Sequence, residues 1–363
     1  MRLIYLAPLN WSSFAQRPHM FVRWFHEQYQ SSVLWVNPYP TRLPALSDFR
    51  RIAQAPDSCA TDIPDWLQII TPKSLPIEPL PGSVFLNKLL WQAVLTQLQE
   101  FAAPEKTLIV IGKPSALALE AITILSNCDS LYDAMDDYPQ FYRGLSRLTF
   151  AKREQQLVTA VKKVAVSSST LFQKWSVVRS DVQLIRNGLM TDLFLPIVMP
   201  QPSKQMVFGY VGTLAQWFDW AWVTMLAEKF PDALVRLIGP QFGTLPLGLP
   251  ANIECLPACD HNSAIAAMKN FTVGLIPFKQ NALTRGVDPI KFYEYRALGI
   301  PVVATNFGEM QQHADLPGTF ISHSLHDIEV VMRAALHFHD NEISRAAFIA
   351  DHNWSKRFSA LNI

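Results

Sequence analysis

The stretch VDPIKFYEYRALGIPVVAT, from Val287 to Thr305, decides the fold of this chain because it predicts a helix, a tight turn and a buried strand. Asp288 is placed to cap the helix, and Pro289 suits the first helical position because it has no backbone N–H to leave unpaired. Gly299 can adopt the left-handed conformation that ends a helix, and Pro301 prevents continuation. The apolar run that follows is typical of a parallel strand buried on both faces.

The same helix displays a cation and a carboxylate together. Ile290, Tyr293 and Ala297 share the face that the spacing assigns to the core. Lys291 and Glu294 are three residues apart and are therefore neighbours on another face. On these residues alone, an ordinary surface ion pair competes with a binding site.

The rest of the chain repeats the alternation of strand and helix in two series. The first series runs from RLIYLAPL at the N-terminus to DVQLIRNG, and the second begins at MVFGYVG. Residues 193–203 between them are rich in proline and almost uncharged, which indicates a linker. We therefore predict two Rossmann-like, doubly wound α/β domains with parallel sheets, at residues 1–192 and 204–340, followed by C-terminal helices at 341–363.

Composition excludes several classes of protein. The chain has 363 residues, 49% of them hydrophobic and 17% charged, which suffices for two cores. A net charge of +1 gives no basic field for nucleic acid. The sequence contains no apolar run of about 20 residues, the length that a spanning helix needs. Its four cysteines are too few for a disulfide framework and suggest the reducing cytosol.

The stretch resembles the signature of GT-B glycosyltransferases of the group 1, family-4-like kind. Glu294, Gly299 and Pro301–Val303 carry this resemblance. In that family the Glu holds the ribose hydroxyls of a nucleotide-sugar, and a variant with a Lys three residues earlier, here Lys291, uses it as a cation for the donor phosphates. Gly286 replaces a second Glu that usually contacts the donor sugar.

The resemblance extends over most of the chain. It is firm from Phe208 to Thr305 and weaker at SLYDAMDDYPQF and LIRNGLMTDLF. The segment WSSFAQRPHM resembles an acceptor-domain loop of capsular and exopolysaccharide transferases. The resemblance implies that the two domains face each other across a cleft, with donor on the second and acceptor on the first, and that the last helices cross back to the first domain.

A glycine turn in FGYVGTLAQW is the predicted phosphate loop. Gly212 and Thr213 lie between a strand and a helix, where backbone N–H groups bind phosphate, although a plain turn is the alternative. The three-glycine dinucleotide fingerprint is absent, which argues against a nicotinamide cofactor. The family often places cations just after this loop, but here Ala215, Gln216 and Trp217 follow. The predicted donor-binding residues are Gly212, Thr213, Arg285, Asp288, Lys291, Tyr293 and Glu294.

Three acids follow a predicted strand, at the edge where parallel sheets hold ligands. Crowding of Asp133, Asp136 and Asp137 should raise at least one carboxyl pKa, as suits the general base of an inverting transferase. We rank Asp137 first, Asp133 second and Asp136 third, because Tyr138-Pro139 keeps Asp137 extended. A helix cap with solvated acids is the alternative.

Arg17 and His19 follow the first strand and are the candidate acceptor-side residues, or else ordinary residues of a helix start. A zinc site at Cys255, Cys259 and His261 is disfavoured because the spacing is unusual and no fourth ligand is near. We predict no metal site and no cofactor, with the nucleotide-sugar acting as substrate.

These observations predict a cytoplasmic glycosyltransferase that moves a sugar from a nucleotide-sugar to a glycan or lipid-linked acceptor in surface polysaccharide synthesis. The alternatives are a nucleotide-sugar epimerase of the same fold and a non-catalytic GT-B partner subunit. Peripheral contact with a membrane is predicted through Lys88, Trp91, Lys162 and Lys163, unless these lysines are only solvated.

Overall fold

The computed structural model describes residues 1–13, 15–43, 63–195 and 205–363. It divides the chain into two compact units, one of Met1–Ser167 with Leu171–Ile185 and the other of Ser168–Thr170 with Arg186–Ile363. The first unit thus ends a few residues before the predicted boundary at 192. Residues 196–203 of the predicted linker, with residue 204, lie outside the described residues. The C-terminal residues 341–363 group with the second unit, and their predicted crossing stays a prediction.

The first unit contains a seven-stranded parallel sheet of order β3-β2-β1-β4-β5-β6-β7. Its central strands are short apolar runs buried on both faces, as parallel strands require. The strands are β1 Arg2–Leu6, β2 Val33–Val36, β3 Leu67–Ile70, β4 Thr107–Ile111, β5 Asp129–Ala134, β6 Lys163–Val166 and β7 Gln183–Leu184.

The helices of this part of the chain connect successive parallel strands. The described helices are α1 Arg17–Tyr29, α2 Ser83–Ala102, α3 Ala116–Ile124, α4 Gly144–Ala160 and α5 Ser169–Ser176. The apolar sides of α2, α3 and α4 share one core cluster with the sheet, and α3 contacts both of its neighbours. These three helices therefore cover the same face of the sheet.

The second unit contains a six-stranded parallel sheet of order β10-β9-β8-β11-β12-β13. Its strands are β8 Val207–Val211, β9 Leu234–Ile238, β10 Ile253–Leu256, β11 Val273–Ile276, β12 Val302–Thr305 and β13 Thr319–Ser322. Its described helices are α6 Trp220–Lys229, α7 His261–Met268, α8 Ile290–Ala297, α9 Ile328–Leu336, α10 Glu342–His352 and α11 Trp354–Ser359. The predicted fold class is confirmed in both units.

The signature stretch forms the predicted helix, turn and strand, with one difference at its start. Helix α8 begins at Ile290, and the residue at its N-cap is Pro289 rather than Asp288. The Asp288 carboxylate instead accepts the Asn187 N–H at 2.6 Å. Gly299 has a φ of 76°, the left-handed conformation that the turn into β12 requires.

Candidate active site

The Lys291 and Glu294 side chains of α8 form an ion pair. Their side chains are 15% and 5% exposed, so the pair is largely shielded from water. His261, the first residue of α7, brings its Nε2 atom to 3.7 Å from the second Glu294 carboxylate oxygen. A buried carboxylate with a cation beside it binds hydroxyl groups more strongly than a solvated one does. From the sequence we considered His261 only as a zinc ligand, and its position beside Glu294 was not predicted.

The loops after β8 and β9 approach each other through two glycines. The Gly212 N–H donates to the Ile238 carbonyl at 2.9 Å. A Cβ atom at Gly239 would lie 2.1 Å from the Gly212 carbonyl oxygen, and one at Gly212 would lie 2.6 Å from the Tyr210 hydroxyl oxygen. The turn thus depends on glycine at both positions. The Gly212 N–H is already used within the fold, while Thr213 is half-buried beside it.

Arg285 lies on a single 3-10 turn, Thr284–Gly286, between β11 and α8. Its side chain is exposed. It therefore remains available as the second predicted cation near α8. Gly308 of the loop after β12 packs closely on this turn, since a Cβ atom there would lie 2.6 Å from the Thr284 carbonyl oxygen.

Asp288 and Tyr293, two of the predicted donor-binding residues, are buried and hydrogen-bond to each other. The Tyr293 hydroxyl donates to the Asp288 carboxylate at 3.0 Å, and His313 Nε2 lies 3.4 Å from the same group. Burial and the Asp288 charge raise the pKa of Tyr293 well above its ordinary value, so the phenol stays protonated and donates. With the Asn187 N–H as a further donor, these contacts fix the start of α8.

A buried carboxylate that sequence reasoning missed follows β12. Glu309 accepts the backbone N–H of Ser169 at 2.7 Å and its hydroxyl at 2.9 Å. Arg186 Nε donates to the same carboxylate at 2.5 Å. Its partners lie more than a hundred residues away in the chain, so no local pattern could have identified them.

The three acids after β5 have different environments in the first unit. The Asp133 carboxylate is 1% exposed and pairs with Arg17, whose Nη2 atom is 2.7 Å from Oδ1. The Asp137 carboxylate is 2.8 Å from the Lys174 ammonium, which also contacts the buried Glu154. Two of the three acids therefore have a cationic partner.

Asp136 is the acid without such a partner. Among the described residues its carboxylate takes part in no hydrogen bond or ion pair. Burial and the neighbouring charge of Asp137 raise the pKa of Asp136 to about 7. The expected pKa shift is thus found, but on the acid that the sequence ranked third. The geometry favours Asp136 as a general base over Asp137 and Asp133.

Arg17 and His19 are not exposed in the first unit, although the sequence placed them on the acceptor side. Arg17 is 2% exposed and also donates to the Ile185 carbonyl at 2.8 Å. His19 accepts the Gln16 N–H through Nδ1 and donates to the Trp11 carbonyl through Nε2 at 3.0 Å. Burial lowers the pKa of His19 to about 4, so this ring is neutral and holds the turn before α1.

A small recess, with a cavity volume of about 20 Å³, opens at the carboxyl ends of β1 and β2 and beyond β4. Asn37, Lys113 and Ser115 line it together with apolar residues. Burial and the charge of Arg42 lower the pKa of Lys113 to about 8. The sequence did not single out this lysine, because its neighbours in space come from other strands.

Trp91 does not contribute to the basic-aromatic membrane surface that was predicted from sequence. Trp91 is fully buried in the core. Lys88 pairs with Glu120 at 2.8 Å, and Lys162 pairs with Asp129 at 3.1 Å. Within the described residues, no helix combines the length and the hydrophobicity needed to cross a bilayer, and no three His, Cys, Asp or Glu side chains are grouped as metal ligands.

Comparison with known proteins gave one sequence relative. The chain is 26% identical over 200 residues, or 48% of its length, to a Bacillus subtilis (strain 168) protein whose assignment as the teichuronic acid biosynthesis glycosyltransferase TuaH is provisional. The match covers 50% of that relative, so the chain spans about half the length of the relative it matches. No family model matches the chain.

Solved structures match the chain over almost its whole length. Sucrose-phosphate synthase from Thermosynechococcus elongatus superposes with a TM-score of 0.69, at 12% identity, covering 99% of this chain and 97% of that one. The catalytic domain of starch synthase IV from Arabidopsis thaliana, bound to ADP and acarbose, gives a TM-score of 0.62 at 11% identity, covering 99% and 98%. The resemblance to GT-B transferases is thereby confirmed at the level of structure, and the chain has the GT-B fold.

Proposed function

We propose that this chain is a glycosyltransferase that moves a sugar from a nucleotide-sugar to a glycan or lipid-linked acceptor in surface polysaccharide synthesis, at the cytoplasmic side of a membrane. The observation that carries the proposal is the shielded Lys291–Glu294 pair on α8. The GT-B fold and the named relative support it, since both point to sugar transfer.

The second unit would bind the donor. Glu294 would accept hydrogen bonds from the ribose hydroxyls, because a shielded carboxylate offers oxygen lone pairs at little further desolvation cost. Lys291 and the exposed Arg285 would balance the charge of the diphosphate. Thr213, which follows Gly212 in the glycine turn, would also contact the donor. We assign no metal or cofactor to this reaction.

The first unit would bind the acceptor at the carboxyl edge of its sheet, where the recess beside Lys113 opens. Asp136 would take the proton of the attacking hydroxyl if the reaction inverts the anomeric carbon. Its pKa of about 7 is suited to accepting a proton near neutral pH.

The test is calorimetric titration of the full chain with nucleoside diphosphates. We expect Glu294→Ala and Lys291→Ala each to weaken binding by about 1–3 kcal/mol, because each leaves a polar group of the ligand unpaired. Glu329→Ala is the matched control, since it removes an exposed helix ion pair with Arg333 in the same unit. Unchanged nucleoside diphosphate affinity in both Glu294→Ala and Lys291→Ala would show that this pair is not the donor site.

The rival functions predict different products from the same sample. An epimerase would convert one nucleotide-sugar into another without releasing nucleoside diphosphate. A non-catalytic subunit would bind the donor and turn over nothing. A transferase releases nucleoside diphosphate only when an acceptor is present, so a panel of nucleotide-sugars with and without acceptor separates the three.

A further inference from the structure

Helix α2 of the first unit exposes a large apolar surface near its start. Its opposite side packs into the core, with Trp91 and Leu98 fully buried. The exposed side chains recur at helical spacing on the outer side: Phe85 at 72%, Leu86 at 48%, Leu89 at 57% and Leu90 at 43% exposed. Lone exposed apolar residues are ordinary, but four on two adjacent turns form a patch that requires an explanation.

A second segment combines exposed apolar and basic side chains. Residues 141–153, FYRGLSRLTFAKR, contain four cations and no acid. The exposed apolar members, in the segment leading into α4 and its first turns, are Phe141, Leu145 and Leu148, at 39%, 47% and 69%. Arg143, Arg147 and Lys152 are exposed among them. We call these three apolar residues, the three cations and the four residues of α2 the apolar-basic face.

The two parts of this face belong to one side of the first unit. Helices α2 and α4 lie on either side of α3 and cover the same face of the sheet. Glu78, just before α2, pairs with Arg153 of α4 and accepts the Ala116 N–H at the start of α3. In a parallel sheet the starts of the crossover helices lie at the carboxyl ends of the strands, which is where the recess beside Lys113 opens.

We propose that the apolar-basic face docks the protein on an anionic lipid bilayer, with the apolar side chains entering the headgroup region and the arginines contacting lipid phosphates. Apolar area together with cations is what interfacial binding requires. A second copy of this chain is a poorer partner, because two such faces would bring like charges together. Lipid binding itself does not rest on the proposed function, but a lipid-linked acceptor entering the recess does.

The test is flotation of the full chain with vesicles of neutral lipid alone and of neutral lipid mixed with anionic phosphatidylglycerol. We expect binding to the anionic vesicles at low salt and weaker binding at high salt. The double variant Phe85→Ser/Leu89→Ser should lower partitioning at least about tenfold, and Arg143→Gln/Arg147→Gln should lower it mainly on anionic vesicles.

Val330→Ser/Ile343→Ser is the matched control, since these side chains are 71% and 84% exposed in the second unit. It should bind like the unchanged protein. Absence of vesicle binding at low salt, or equal binding by all variants, would overturn the proposal. Light scattering tests the rival: a dimer that Phe85→Ser/Leu89→Ser converts to monomer, without vesicle binding, would assign the face to self-association. Nucleoside diphosphate titration of the same samples keeps this outcome separate from the donor site.

Discussion

The three acids after β5 show how one charge pattern resolves into different roles. Asp133 and Asp137 are fixed by Arg17 and Lys174, whereas the half-buried Asp136 carboxyl lies beside a like charge. Desolvation and a neighbouring anion both disfavour ionisation, and together they move its pKa to about 7. Asp136 has no such cationic partner among the described residues, so it is the candidate that the geometry supports.

We predict that kcat/KM rises with pH through an apparent pKa near 7, because a general base works only when it is deprotonated and the raised pKa of Asp136 keeps it protonated below that pH. Asp136→Asn should lower turnover by about 10²–10⁴-fold and remove this limb of the profile. The measurement is transfer kinetics across pH beside donor affinity.

Asp137→Asn is the informative control for that profile. Removing the negative neighbour should lower the pKa of Asp136 and shift the limb to lower pH, while the limb itself remains. A profile that Asp136→Asn leaves in place, with near-normal turnover, would point to a retaining mechanism without a protein base.

Residue roles were the part least accessible to sequence. Local spacing correctly placed Lys291 beside Glu294, because residues three apart on a helix must be neighbours. The pairing of Arg17 with Asp133 joins positions 116 residues apart, and no local pattern contains that information. Arg17 and His19, which were predicted to face the acceptor, are instead buried and bond to backbone carbonyls. Sequence spacing carries no information about this burial either.

At the scale of elements, the alternation of strand and helix was predictable because hydrophobic periodicity is local. The signature stretch formed its helix, turn and strand, and only the cap differed. The predicted N-cap is wrong because the Asp288 carboxylate accepts hydrogen bonds from the Asn187 N–H and the Tyr293 hydroxyl. Among the described residues, it makes no capping hydrogen bond to the first N–H groups of α8. Tertiary hydrogen bonds displaced a local preference without moving the helix by more than a residue.

A buried cation, Arg17, ties the start of helix α1 to the sheet. Arg17 bonds both Asp133 of β5 and the Ile185 carbonyl just after β7. We predict that Arg17→Met lowers the free energy of unfolding by about 3–5 kcal/mol, because Asp133 is left buried and unpaired. Denaturant unfolding measures this.

Arg17→Met/Asp133→Leu is the comparison that identifies the cause. Replacing both partners removes the unpaired charge and should recover much of the loss. Nucleoside diphosphate affinity should be unaffected in either variant, because both positions lie in the first unit. If the Arg17→Met protein is as stable as the unchanged protein and has a raised KM for the acceptor, Arg17 is an acceptor-binding residue after all.

At the scale of the whole molecule, the chain is two units with separate sheets and separate cores. The division could be predicted from the sequence because the alternation of strand and helix starts again after a proline-rich segment. Each unit buries its own parallel strands, so each has the main requirement for cooperative unfolding by itself. If only one unit binds a given ligand, that ligand should raise the unfolding temperature of that unit alone.

We predict that calorimetric unfolding departs from a single two-state transition, and that nucleoside diphosphate raises only the transition of the second unit. At a ligand concentration of about 100 Kd the stabilisation is about 2.7 kcal/mol, which shifts a unit of this size by several degrees. Scanning calorimetry with and without ligand measures the shift.

Two glycine variants assign the transitions. A Cβ atom at Gly209 of β8 would lie 2.2 Å from the Phe271 ring, and one at Gly112 after β4 would lie 2.8 Å from Pro8. Gly209→Ala should therefore lower the transition of the second unit and Gly112→Ala that of the first, each by about 1–3 kcal/mol of overpacking. If the ligand-shifted transition is the one that Gly112→Ala lowers, the donor site belongs to the first unit and the assignment to α8 is wrong.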